Sequence, residues 1–216
     1  MKKSTDNLDA IAEKLRTGLS DQDAVREKML PLSREVIRYC SQAIRALHRQ
    51  EFAEAEALLR SASDLLMDVE KTVYGYDEFL NTGAFRDAQK EYAEGCITLA
   101  VVKGEPVPHP DELAVGPAAY LNGMGEAVGE LRRYLLDGMR RGDLSRGEEL
   151  LSAMDDIYSV LVTMDFPDAI TGGLRRTTDN VRGIMEKTRG DLTLAAQNRE
   201  LEGKLNDFHK RLPPAP

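Results

Sequence analysis

The chain has 216 residues and a hydrophobic fraction of 42%, enough for one sizeable core or at most two small ones. Acidic side chains outnumber basic ones, 37 to 29, for a net charge of −8; this excludes a strongly basic nucleic-acid binder but leaves room for a local basic patch. A charged fraction of 31% with no tryptophan points to long amphipathic helices.

The first predicted helix covers about 6–50. Val36, Ile37, Cys40, Ala43, Ile44 and Leu47 recur at spacings of three and four, which marks one buried face. Pro31 removes a backbone donor and crowds the preceding turn, so a kink or break is expected there. A second helix covers about 52–74 on the stripe Leu58, Leu59, Ala62, Leu65, Leu66 and Val69. Glycine-containing stretches at 75–77 and 81–83 weaken helicity before a third helix, about 84–103. Pro106, Pro108 and Pro110 then impose an extended loop.

The next helix runs about 116–141 with Leu121, Met124, Val128, Leu131 and Leu135 inward. The connection at 142–145 offers Asp143 or Ser145 as an N-cap for the stripe Leu150, Leu151, Met154, Ile157, Tyr158 and Leu161. The last helix is expected from near Pro167 to about Leu205. Nothing alternates with period two, so the fold class is all-α: a single domain over 1–212 with a frayed proline-rich tail at 213–216. The longest apolar stretch, Cys96–Val102, falls far short of the ~20 residues of a membrane span. Polar residues follow Met1-Lys2-Lys3, and Cys40 and Cys96 form no metal-binding or disulfide pattern. A cytoplasmic protein is expected.

Three clusters carry candidate chemistry. On the third helix Phe85, Ala88, Tyr92, Cys96 and Leu99 share one face, and Glu91 and Glu94 sit one turn apart on the other. A solvated acidic face is the simple reading. The apolar run that follows implies a helix surrounded by protein, however, so the two carboxylates must meet a cavity, a partner or a cation. With no histidine or cysteine thiolate pattern beside them they are hard oxygen donors, suited to Mg²⁺ or Mn²⁺. Asp155-Asp156 form the second cluster, again solvated in the simple reading. If Asp156 converged on Glu91 and Glu94, three carboxylates would hold a divalent ion able to activate water at a phosphodiester. In the third, Arg175, Arg182 and Arg189 recur every seven residues and can track a phosphate backbone, or else pair with Asp179 and Glu186 four residues on.

The stretch Asp165-Phe166-Pro167-Asp168-Ala169-Ile170-Thr171-Gly172-Gly173-Leu174-Arg175-Arg176-Thr177-Thr178-Asp179, continued by Glu186-Lys187-Thr188-Arg189-Gly190-Asp191-Leu192-Thr193, resembles the translin family, and the resemblance extends over roughly 30–205. It implies a bundle of about seven helices assembling into a hollow shell, by family an octamer, that encloses nucleic acid. Within the family the chain is similar to the Trax-type branch of an archaeal kind. Gln89-Lys90-Glu91-Tyr92-Ala93-Glu94 looks like that branch's Q-E-Y-x-E pattern with Lys90 as an insertion or local shift. Asp156 before Ile157-Tyr158-Ser159 looks like its catalytic aspartate, with Asp155 as the alternative register.

The resemblance therefore implies a Mg²⁺-dependent (or Mn²⁺-dependent) endoribonuclease acting on single-stranded RNA, or short DNA, with Glu91, Glu94 and Asp156 as metal ligands and Arg175, Arg182 and Arg189 on the nucleic acid. The rival expectation is a translin-type shell that binds single strands without cutting them.

Overall fold

The computed structural model describes residues 5–211; the tail expected at 213–216 lies outside them. Among the described residues there are eight α-helices and no strand: α1 (Leu8–His48), α2 (Phe52–Thr72), α3 (Gly83–Lys103), α4 (Pro110–Leu113), α5 (Pro117–Arg140), α6 (Gly147–Val162), α7 (Asp168–Thr171) and α8 (Leu174–Arg211). A 3₁₀ turn, Asp77–Asn81, links α2 to α3. The all-α class expected from periodicity is the class observed.

The α1 helix continues through Pro31, so of the kink or break expected there the break does not occur. Pro31 lies on the exposed face, as does Glu27, whose carbonyl loses its helical donor. Water can satisfy that carbonyl, so the interruption stays local. The buried stripe of α1, from Met29 to Leu47, packs on α2 and α3. From there α3 packs on α5, and α5 on α6 and α8, so one continuous core extends from Met29 to Met185.

Burial of Cys96–Val102 needs no second subunit: within this chain Ile97 and Thr98 are fully buried and Val102 nearly so. Gly104, at φ 72°, ends α3 in the left-handed conformation that glycine adopts without strain. Arg146 also donates to the carbonyls of Val101 and Val102, a cation at the negative end of the α3 dipole.

Two expectations after α5 are corrected. The N-cap of α6 is Arg146, without a side-chain cap; the Asp143 carboxylate instead accepts from the Ser145 amide at 2.9 Å and closes the preceding turn. The last helix is also interrupted. Gly172 and Gly173 take φ of 63° and 86°, which separates the single turn of α7 from the long α8.

The α3–α5 contact places the site. A Cβ on Gly123 of α5 would lie 2.5 Å from the Lys90 carbonyl oxygen and 3.0 Å from the Glu94 nitrogen, so only glycine permits this approach. Across the same helix, a Cβ on Gly125 would collide with Thr177 of α8. Buried Asn122 ties these elements together, donating to the Ala118 and Thr171 carbonyls at 2.8 Å and accepting from the Thr177 hydroxyl at 2.7 Å.

Candidate metal centre and the cleft beside it

Gly123, Glu126 and Glu130 share one face of α5 at spacings of three and four, so the glycine that admits α3 also turns both glutamates toward it. The result is a group of three carboxylates. Glu91, Glu94 and Glu126 each present an oxygen, and these oxygens lie within 4.8 Å of one another. All three residues are half-buried. The Lys90 ammonium sits among them, 2.8 Å from Glu126 and 3.7 Å from Glu91.

One lysine does not neutralise the group. Burial, then the charges of Glu91, Glu126 and Glu130, push the Glu94 carboxyl up to about 8, with Lys90 opposing. Glu91 is also raised, first by burial, with Lys90 acting against it and Glu126 adding to it. Burial alone would lower the Lys90 ammonium, but the hydrogen bond and charge of Glu126, with help from Glu91 and Asp87, outweigh it and hold its pKa above the ordinary value.

Glu130 is held in the opposite direction. The His48 ring donates from Nε2 to its carboxylate at 2.5 Å, and this bond, opposed by burial and helped by Arg133, lowers its pKa. His48 is 94% buried as a side chain (6% exposed), and its Nδ1 has no hydrogen-bond partner among the described residues. Burial pushes the Cys96 thiol up to about 12 and raises Cys40 as well, so neither thiol is a nucleophile at neutral pH.

A cleft of about 580 Å³ opens from Glu126 and Lys90 toward α8. Arg86, Asp87, Arg176 and Asn180 line it together with Gly172 and Gly173.

No family model matches the chain. An uncharacterised protein of Methanocaldococcus jannaschii, MJ0175, is 31% identical over 189 residues, which cover 87% of this chain and 83% of that one. The structure of AfC3PO in complex with duplex RNA is 34% identical, covers 87% of this chain and 97% of its own, and superposes with a TM-score of 0.78. AfC3PO alone gives 33%, 87%, 98% and 0.76 for the same quantities. AfC3PO is a translin/Trax-like protein. The chain belongs to the translin family. Apo-NeC3PO, 19% identical with a TM-score of 0.73 over 90% of this chain and 98% of its own, shares the fold.

Of the residues that the translin resemblance singled out, Glu91 and Glu94 come together and Asp156 does not join them. Asp156 is on the exposed face of α6, and the third carboxylate is Glu126 of α5. Asp155 is no substitute, because both its oxygens accept from Arg189 of α8 at 2.9 Å. The residues around Asp156 carry no information on which helix packs beside α3.

The arginine stripe is divided. Arg182 pairs with Glu186 at 3.3 Å, as the i,i+4 spacing allows, and Arg189 with Asp155. Arg175 borders a separate surface hollow with Asp165, Phe166 and Asp179. None of the three lines the cleft beside the carboxylates. Glu126, Glu130, Lys90 and His48 were not anticipated from the sequence as site residues. The available signal was Gly123, a mid-helix glycine three residues before Glu126 on the same face.

Proposed function

We propose that this translin-family chain binds RNA and acts as a Mg²⁺- or Mn²⁺-dependent endoribonuclease on single-stranded RNA, with short DNA as a secondary substrate, in the cytoplasm. The observation that carries this reading is the convergence of Glu91, Glu94 and Glu126. Three hard oxygen donors whose repulsion Lys90 relieves only in part fit a divalent cation. Bound there, such an ion supplies an acidified water and charge stabilisation at a phosphodiester. Glu91, Glu94 and Glu126 would hold it, while Glu130, oriented by His48, accepts hydrogen bonds at the edge of the group. RNA as partner is supported by the resemblance to AfC3PO, whose structure has been solved with duplex RNA. Duplexes therefore belong beside single strands among the probes.

The test is cleavage of an end-labelled single-stranded RNA by wild type, Glu91→Gln, Glu94→Gln and Asp156→Asn, each with Mg²⁺ and with EDTA. Wild type and Asp156→Asn should cut only with Mg²⁺, and both glutamine variants should lose at least 10²-fold in rate. Glutamine variants that cut at the wild-type rate would sink the assignment.

A second reading, a binding protein without catalysis, is favoured by Lys90, a built-in cation already paired to two of the three carboxylates. It requires wild type to bind RNA without Mg²⁺-dependent cleavage.

A further inference from the structure

Most arginines around the centre of the molecule are occupied. Arg132 donates to Thr188 and to Asp191, and Arg133, Arg146, Arg182 and Arg189 each have a carboxylate partner. Arg86 and Arg176 differ. Among the described residues neither side chain makes an ion pair or hydrogen bond, although the chain carries an excess of acids, and both face the same cleft. Its lining also includes Lys90 and Glu126, so the cleft runs from the carboxylate group to the two free guanidinium groups.

The backbone makes room for this arrangement. Gly172 sits at φ 63°, and a Cβ on it would collide with the Arg86 guanidinium. Arg86 therefore lies against bare backbone just before α8, where the unsatisfied amides of a helix start add positive potential. Arg86 precedes Glu94 on α3 by two turns, ~12 Å of helix rise. That rise separates Arg86 from Glu94 along α3 by a length within the span of one short strand segment.

We propose that Arg86 and Arg176 form a phosphate-binding subsite that holds the nucleic-acid strand beside the carboxylate centre. Two forked donors in a concave setting match the oxygens of a phosphodiester. Lys90 stays with the carboxylates, and Asp87, which also lines the cleft, opposes an anion there, so the two guanidinium groups must outweigh it. The subsite rests on the proposed RNA-binding reading and replaces the Arg175, Arg182 and Arg189 stripe as the principal phosphate contact.

The experiment measures binding of a fluorescein-labelled 12-nucleotide oligo(U) by anisotropy, in EDTA so that nothing is cut, across a series of salt concentrations. Wild type is compared with Arg86→Gln/Arg176→Gln, with Arg86→Lys/Arg176→Lys and with Arg182→Gln/Arg189→Gln. Circular dichroism and light scattering verify fold and assembly. The cleft glutamine pair should bind at least tenfold more weakly, with its log K versus log salt slope smaller by about 1.4, or ~0.7 per lost contact. The lysine pair, which keeps the charge but loses the fork, should recover most of the slope and only part of the affinity. An unchanged slope in the cleft glutamine pair, or a loss that follows Arg182 and Arg189 instead, overturns the subsite. Reduced binding in a protein that never cleaves RNA with Mg²⁺ supports the subsite and removes the nuclease reading alone. Wild type that binds no oligonucleotide overturns both.

Discussion

Glu94 is the residue on which the electrostatics of the centre concentrate. Burial and three neighbouring glutamates disfavour its charge and push its carboxyl up to about 8. In the unfolded chain it titrates at the ordinary value, so between about pH 4.5 and 8 the folded state binds more protons than the unfolded one. Stability contributed by this group is therefore fully present at the acid end of that window, falls as pH rises through it, and levels off above 8. Glu94→Gln removes the penalty. In EDTA the variant should match wild type near pH 4.5 and exceed it at pH 9 by on the order of 2 kcal/mol, ~4–8 °C in Tm. Thermal melts at both pH values decide the matter, and equal Tm differences at the two would show that Glu94 is not the strained group. Mg²⁺ should reduce the gap at pH 9 by stabilising wild type, since the ion replaces the missing counter-charge.

At the scale of elements, the decisive contact is α3 against α5, and it rests on Gly123. An alanine there places a methyl group against the Lys90 carbonyl and the Glu94 amide, atoms of a helix backbone that cannot rotate away. Gly123→Ala should cost about 1–3 kcal/mol and weaken Mg²⁺ binding in calorimetry although no ligand has been changed. Gly183, which has open space around it on α8, is the control: alanine there should be neutral or slightly stabilising through helix propensity. Metal affinity untouched by Gly123→Ala would mean that the carboxylates do not depend on this approach.

The same contact explains what could be read from the sequence. Glu91 and Glu94 were visible because their relation is local, one turn of one helix. Glu126 was not, because it is 32 residues from Glu94 and joins it only through packing. Asp156 was singled out by the resemblance through Ile157-Tyr158-Ser159, a local pattern that says nothing of packing. The long helices were legible from three-and-four spacing; the single turns α4 and α7 were not, and Gly172-Gly173 end a helix that was expected to be continuous, while Pro31 breaks none. The proline falls on a solvated face where a lost hydrogen bond is harmless; the glycines adopt positive φ that ends a helix.

The whole molecule leaves apolar surface that its own core does not use. Leu8, Ile11, Leu15 and Leu19 are exposed at spacings of three and four along the first turns of α1. Leu194, Leu201, Leu205 and Phe208 are exposed on the last turns of α8, and Leu194, Leu201 and Phe208 repeat every seven residues. A heptad of large apolar side chains on a helix that extends past the body is a seam for another helix. By contrast the Cys96–Val102 segment, which the sequence also marked as apolar all round, is covered by the chain itself. Self-association is therefore expected through the ends of α1 and α8 and not through α3. Light scattering at micromolar concentration should give a mass well above 24.0 kDa, with eight copies the expectation drawn from the family resemblance. Leu201→Glu/Leu205→Glu should lower that mass while helicity is retained, and Glu94→Gln should leave it unchanged. If the paired substitution keeps the wild-type mass, the α8 seam does not hold the subunits together; if wild type itself is a monomer, a closed shell around RNA is excluded and the carboxylate centre must work open to solvent.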